Sequence, residues 1–97
     1  MIAVIVESFT LEPQARRLSV GGYDLNLTTT EYEVLAYLVR AAGSVVPRDE
    51  LVRAVFCREA TPMDRALDVH VSHLRRKLGA NRSLIVTVRG LGYMCRA

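Results

Sequence analysis

The residues with the richest chemistry lie in one run, Arg65-Ala-Leu-Asp-Val-His-Val-Ser-His-Leu-Arg-Arg-Lys-Leu-Gly79. Leu67, Val71, Leu74 and Leu78 recur there at i, i+4, i+7 and i+11, the spacing of a single buried stripe on a helix. Arg65, Val69, Ser72 and Arg76 repeat that spacing two residues out of phase, and two residues are about 200° around a helix. This second stripe points away from the core, with His73 beside it and His70, Arg75 and Lys77 on its shoulders. Arg can bridge guanine O6 and N7, Ser and His can bond base edges, and an outward Val can meet a thymine methyl. Arg75 and Lys77 are placed for phosphates, which position a helix without reading sequence. An ordinary solvated basic helix shows much of the same pattern, although Val69 is a residue that a purely solvated face would more often replace with a polar one.

A second basic element follows. Ile85–Arg89 and Tyr93–Arg96 alternate on either side of Gly90-Leu91-Gly92, which predicts a slim hairpin wing over residues 85–96. Arg89 beside that loop can enter a narrow groove or grip its phosphates, and the Thr87 hydroxyl can bond a phosphate oxygen. A hairpin that merely closes a sheet, with Arg89 solvated, is the plainer reading. The charge distribution favours the first. Residues 1–64 hold six basic and nine acidic side chains, whereas residues 65–97 hold seven basic and one acidic. The basicity of the chain is concentrated where a polyanion would be met. Twelve of its thirteen cations are Arg, the planar fork that suits phosphates and guanine edges.

These side chains need a frame. The 97 residues are 51% hydrophobic and 24% charged, enough to bury one small core and far from the composition of a disordered tail. Ile2–Val6, Phe9–Leu11, Arg16–Val20 and Tyr23–Leu27 read as four strands of an antiparallel sheet, with Gly21-Gly22 as a tight hairpin turn. The period then changes. Thr28 with Glu31 forms a capping box that opens the first helix, with Leu27 and Tyr32 as its hydrophobic staple. Thr30 with Glu33 is a second possible box, but polar Thr29 leaves it without a staple. Leu35, Leu38, Val39 and Ala42 carry the apolar face to Gly43. After Ser44-Val45-Val46, Pro47 suits the start of a second helix bearing Leu51, Val52, Val55 and Phe56. Thr61 as cap, Pro62 at the first helical position and Asp64 predict a third helix over residues 62–78. At 1.5 Å per residue it would be roughly 25 Å long, ample to cross a major groove of about 12 Å. The fold class is α+β: sheet, three helices, closing hairpin.

Several function classes are excluded or disfavoured. The chain has no nucleophile–base pairing, glycine-rich phosphate loop or metal-ligand cluster, so an enzyme and a bound cofactor are not expected. Glu31 and Glu33 cap or solvate rather than form a catalytic pair. His70 and His73 stand i, i+3, but no third ligand has suitable spacing, so no metal is expected. Asp68, the one acid after residue 64, is expected to pair with an Arg in or near the helix, and Tyr93 to pack at the wing base. Only six aromatics leave no stacking row for single strands. No apolar stretch approaches the roughly 20 residues of a membrane span, and Met1–Val6 is too short for a secretory core. Cys57 and Cys95, far apart and without a C-x-x-C pair, read as thiols of a reducing cytoplasm, although one disulfide between them is the alternative.

Leu27-Thr-Thr-Thr-Glu-Tyr-Glu-Val-Leu35, the run Arg65–Gly79 and Thr87-Val-Arg-Gly-Leu-Gly-Tyr93 together resemble the winged-helix effector domain of OmpR/PhoB-type two-component response regulators. The resemblance covers nearly the whole chain in the same order and spacing. Thr61-Pro-Met-Asp-Arg-Ala-Leu-Asp-Val-His70 further resembles the Cpx envelope-stress branch. The family implies a winged helix-turn-helix over residues 1–97: a four-stranded N-terminal sheet, three helices and a C-terminal wing. It implies a recognition helix carrying Arg65, Val69, His70, Ser72, His73, Arg75 and Arg76 in the major groove of promoter DNA, with Thr87 and Arg89 on the wing. It also implies head-to-tail homodimers on direct repeats and contact with RNA polymerase through the loop near Cys57–Ala60. Control would come from phosphorylation of an attached receiver, for which 97 residues leave no room, so the chain is expected to be an excised effector half. Phe56-Cys57 stands where the family often has Trp-Gly, which puts the polymerase-contacting loop in question. Pro47 replaces a capping hydroxyl residue. Ser72 and His73 occupy places where some relatives carry Arg, so no base preference carries over. A winged-helix module that binds an acidic protein partner is the alternative from another class.

Overall fold

The computed structural model describes residues 4–6, 9–12, 17–20, 23–61 and 65–96. Strands β1 (Val4–Val6), β2 (Phe9–Glu12), β3 (Arg17–Val20) and β4 (Tyr23–Asp24) pair antiparallel in that order. Val20 faces Tyr23 across the β3–β4 pair; the Gly21-Gly22 turn expected between them lies outside the described residues. β4 is shorter than the alternation of Tyr23, Leu25 and Leu27 suggested. Leu25 and Leu27 instead pack against the core from an irregular segment, so side-chain burial rather than a strand ladder produces their spacing.

Helix α1 (Thr29–Arg40) starts as its capping box predicts. The Glu31 N–H donates to Thr28 Oγ1 at 3.1 Å, and the Thr28 N–H donates to Glu31 Oε1 at 3.0 Å. Two otherwise orphaned donors are thereby satisfied. Strand β5 (Val45–Pro47) leads directly into helix α2 (Arg48–Phe56). Pro47 occupies the cap position rather than the first helical one and forms no side-chain cap bond. Asp49 and Glu50 in the first turn complement the helix dipole.

α2 ends on Cys57, which adopts φ 57°, ψ 37°, a left-handed conformation that glycine adopts without a Cβ penalty. Cys57→Gly is therefore expected to stabilise the domain by about 1 kcal/mol, read as a higher midpoint in urea. No gain would mean that the strain at this cap is relieved elsewhere. Cys57 is exposed, Cys95 is buried, and no disulfide joins them.

Helix α3 spans Ala66–Leu78, not residues 62–78. Thr61 is exposed and non-helical, while Pro62 and Asp64 lie outside the described residues. Arg65 holds the cap position without a side-chain cap bond. The first turn is anchored instead by tertiary bonds to Asp68, described below. A 3₁₀ segment, Gly79–Leu84, connects α3 to β6 (Ile85–Val88), and β7 (Gly92–Cys95) follows. These strands do not form an isolated hairpin. β7 lies in the middle of a three-stranded sheet, with β5 on one side and β6 on the other. Val46 faces Tyr93, and Pro47 faces Gly92.

The core gathers Leu35, Leu38, Leu51, Leu67 and Leu74, all fully buried, with Val71, Leu78, Ile85 and Cys95 around them. The four-residue stripe read from α3 is buried throughout. Tyr93 is 5% exposed, as expected of wing-base packing. Among the described residues, no helix is long and apolar enough to cross a membrane.

Lys77 closes a second long-range link. Its Nζ lies 2.6 Å from Oε1 of Glu31, joining the end of α3 to the start of α1. Burial pushes the Glu31 carboxyl upward, but bonds from Lys77 and Thr28 outweigh it and hold the group below its usual range. Asp68 is likewise held low, because Arg48 and Tyr93 outweigh its burial. Carboxylates depressed in the folded state contribute stability at neutral pH that is lost as pH falls through their folded values. Urea melts are therefore expected to show stability falling below about pH 4.5. Lys77→Met should lower stability at neutral pH and make the acid limb shallower, because burial then raises the Glu31 carboxyl unopposed by Lys77. An unchanged acid limb would refute the Glu31–Lys77 contribution.

Candidate nucleic-acid interface

α3 presents opposite stripes to opposite environments. Leu67, Val71, Leu74 and Leu78 are at most 4% exposed, whereas Arg65, Val69, Ser72, His73 and Arg76 are all exposed. Val69 is 48% exposed, an apolar spot on an otherwise polar stripe. Thirteen residues make a rod of roughly 20 Å, still longer than a major groove is wide. Arg65, Val69, Ser72 and His73 surround a shallow depression on this side of the helix.

The shoulder residues do not share one environment. The His70 ring lies 5.6 Å from the ring of Phe56, and its Nδ1 is buried with no hydrogen-bond partner among the described residues. Phe56 also carries the Arg58 guanidinium 5.4 Å from its ring centroid, so His70 packs towards the end of α2. Arg75, read as phosphate-facing, turns instead towards the wing. Its Nε and Nη2 donate to the Ile85 carbonyl at 3.1 and 2.8 Å, and Nη2 also donates to Thr87 Oγ1 at 2.7 Å. Lys77, also read as phosphate-facing, bonds Glu31. Both departures have one cause: an acceptor supplied by another element lies within reach of the long side chain.

The wing lies across a groove from the start of α3. A cavity of about 590 Å³ there is lined by residues of α3, the wing and the start of α2, among them Arg48, Arg65, Thr87 and Arg89. Arg89 lies in the turn rather than in β6, and the turn closes through Leu91 N–H to the Val88 carbonyl at 3.0 Å. Thr87 is exposed; its oxygen accepts from Arg75, which leaves its own proton available to an outside acceptor.

Asp68 joins three elements. It pairs with Arg48 at the start of α2 and accepts from the Tyr93 hydroxyl of β7 at 2.5 Å. Burial first, and Asp68 second, push the Tyr93 hydroxyl up to about 12, so it remains a donor at neutral pH. Asp68 pairs with an Arg, as expected, but the partner is Arg48 at the start of α2 rather than an Arg of α3. Nothing local in the sequence points to Arg48, because a residue after a proline at a helix start carries no periodic signal. Among the described residues, no group of three His, Cys, Asp or Glu side chains is placed to hold a metal ion.

Comparison with known proteins places this arrangement. Residues 22–95 match the family described as "Transcriptional regulatory protein, C terminal". The chain belongs to this family. It is an effector domain of the OmpR/PhoB type and is Cpx-like. The transcriptional regulatory protein CpxR of Escherichia coli K12 is 39% identical over 92 residues, covering 92% of this chain and 40% of that protein. The chain thus spans less than half the length of this curated relative. The crystal structure of the DNA binding domain of CpxR from E. coli superposes with a TM-score of 0.91 at 35% identity, covering 100% of this chain and 98% of that one. The Klebsiella pneumoniae RstA DNA-binding domain in complex with the RstA box gives a TM-score of 0.91 at 31% identity, covering 99% and 98%. The effector domain therefore has the α+β winged-helix fold of these structures, with three helices and small antiparallel sheets.

Proposed function

We propose that this effector domain binds double-stranded promoter DNA sequence-specifically, with α3 in the major groove and the β6–β7 wing on the adjacent backbone or minor groove. The observation that carries this reading is the division of α3 into a buried apolar stripe and an exposed stripe of Arg65, Val69, Ser72, His73 and Arg76. Arg65 and Arg76 supply bidentate donors, Ser72 and His73 adaptable ones, and Val69 an apolar contact suited to a thymine methyl. Arg89 and the Thr87 hydroxyl supply the wing's phosphate or minor-groove contacts. His70, Arg75 and Lys77 act at the edge of this surface, held by contacts within the protein. The domain carries out no catalysis and needs no cofactor; it works in the cytoplasm as the output half of a two-component phosphorelay.

Tandem pairing on direct repeats and contact with RNA polymerase through the Cys57–Ala60 loop complete the proposal. Both rest on family likeness, and the loop's Phe56-Cys57 departs from the common pattern. Selection of bound duplexes from a random pool tests the reading. Two enriched half-sites in direct repeat are expected. An inverted repeat would overturn the tandem arrangement, and no enrichment would overturn sequence-specific binding.

A further inference from the structure

Arg75 occupies a position on α3 from which an arginine could reach a phosphate, yet its guanidinium is engaged elsewhere. Nε and Nη2 converge on the Ile85 carbonyl, Nη2 also reaches Thr87 Oγ1, and the group stands 5.7 Å from the Tyr93 ring centroid. One planar fork thus joins the recognition helix to both wing strands. Ile85 is the first residue of β6, an edge strand, and an edge carbonyl otherwise lacks a ladder partner. Two turns earlier on α3, Asp68 bonds Tyr93 and Arg48. Tyr93 is therefore held from two points on the same side of α3.

We infer that Arg75 is a positioning residue, a clamp that sets the angle of the wing against the recognition helix, and not a phosphate ligand. The geometry explains why such a clamp matters. Arg89 lies four residues beyond Ile85, roughly 13 Å along an extended strand, so a tilt of about 10° at the wing base moves the tip by about 2 Å. The helix and the wing must meet one duplex together. A loose wing still meets phosphates, but it loses the fixed spacing that makes one sequence register better than others. Lysine cannot replace the clamp, because it offers a compact charge where the site requires a planar fork. For its effect on DNA, this inference rests on the duplex-binding reading above; the clamp itself does not.

Two variants of the 97-residue chain, Arg75→Lys and Arg75→Gln, separate the possibilities. Without DNA, amide hydrogen exchange at Thr87–Leu91 is expected to accelerate about tenfold in both, with α1 and α2 amides unchanged. Against a duplex enriched from a random pool and a scrambled duplex, the ratio of affinities is expected to fall about tenfold in both. The slope of log affinity against log salt should stay unchanged, because no phosphate contact is removed. Arg75→Lys matching the parent chain in exchange and affinity ratio would overturn the clamp. So would an Arg75→Gln slope shallower by about 0.9 with equal losses on both duplexes, the behaviour of a phosphate ligand. A parent chain that binds neither duplex would refute the DNA reading, and the exchange rates would then decide the clamp alone.

Discussion

Gly92→Ala is expected to destabilise the domain by about 3 kcal/mol or more, the range of severe core overpacking. Gly92 lies in the central strand β7, opposite Pro47 on β5 and Val88 on β6. A Cβ at this position would stand 2.0 Å from the Val46 carbonyl oxygen and 3.0 Å from both Arg48 N and Pro47 Cα. All three atoms are backbone, so no flexible side chain can move aside. Relief requires β5 to separate from β7, which also shifts the start of α2 and the Arg48–Asp68 pair. Gly90 provides the control. It has φ +80° with open space around the Cβ position, so Gly90→Ala should cost only the backbone term, about 1 kcal/mol. Urea unfolding of the two variants beside the parent chain measures the difference. Equal costs would refute the close β5–β7 approach.

Arg76→Ala should weaken binding to the selected duplex by about 1–3 kcal/mol. Arg76 is exposed on the outward stripe, and its guanidinium faces solvent rather than the wing acceptors that hold Arg75. If it reads a base, the loss should be larger on the selected duplex than on a scrambled one, with relaxed preference at one position. Raising salt should weaken both duplexes together, because each cation that neutralises a phosphate contributes about −0.9 to the slope. Filter binding across a salt series separates these effects. Unchanged affinity in Arg65→Ala, Arg76→Ala and Arg89→Ala would remove the assignment of this surface to DNA.

The parts of the structure that could be read in advance share a property: their partners lie within one turn or one helical period. The Thr28–Glu31 box spans three residues, and its two bonds form as the spacing predicts. The buried stripe of α3 repeats with the helix itself, so its opposite side also followed. Thr61, Pro62 and Asp64 form a persuasive local signal for an earlier start of α3. The helix begins at Ala66, where Asp68 is tied to Arg48 and Tyr93, residues 20 and 25 positions away. Gly90-Leu91-Gly92 is a local turn signal and predicts a wing of two strands. Its third strand pairs Val45 with Met94, a contact that no local pattern announces.

Residue types and spacing were therefore sufficient to determine the class of the domain, the inward and outward sides of α3, and the placing of arginine on one helix and one turn. These follow from helical periodicity and charge, which are properties of the chain alone. Only the tertiary structure decided which basic side chains are bonded within the protein. Arg75, Arg76 and Lys77 are consecutive and nearly alike as sequence. The fold brings the Ile85 carbonyl and Thr87 to the first and Glu31 to the third, and leaves the second in solvent. A long cationic side chain takes whichever acceptor its surroundings supply, and those surroundings come from strands and helices distant in sequence.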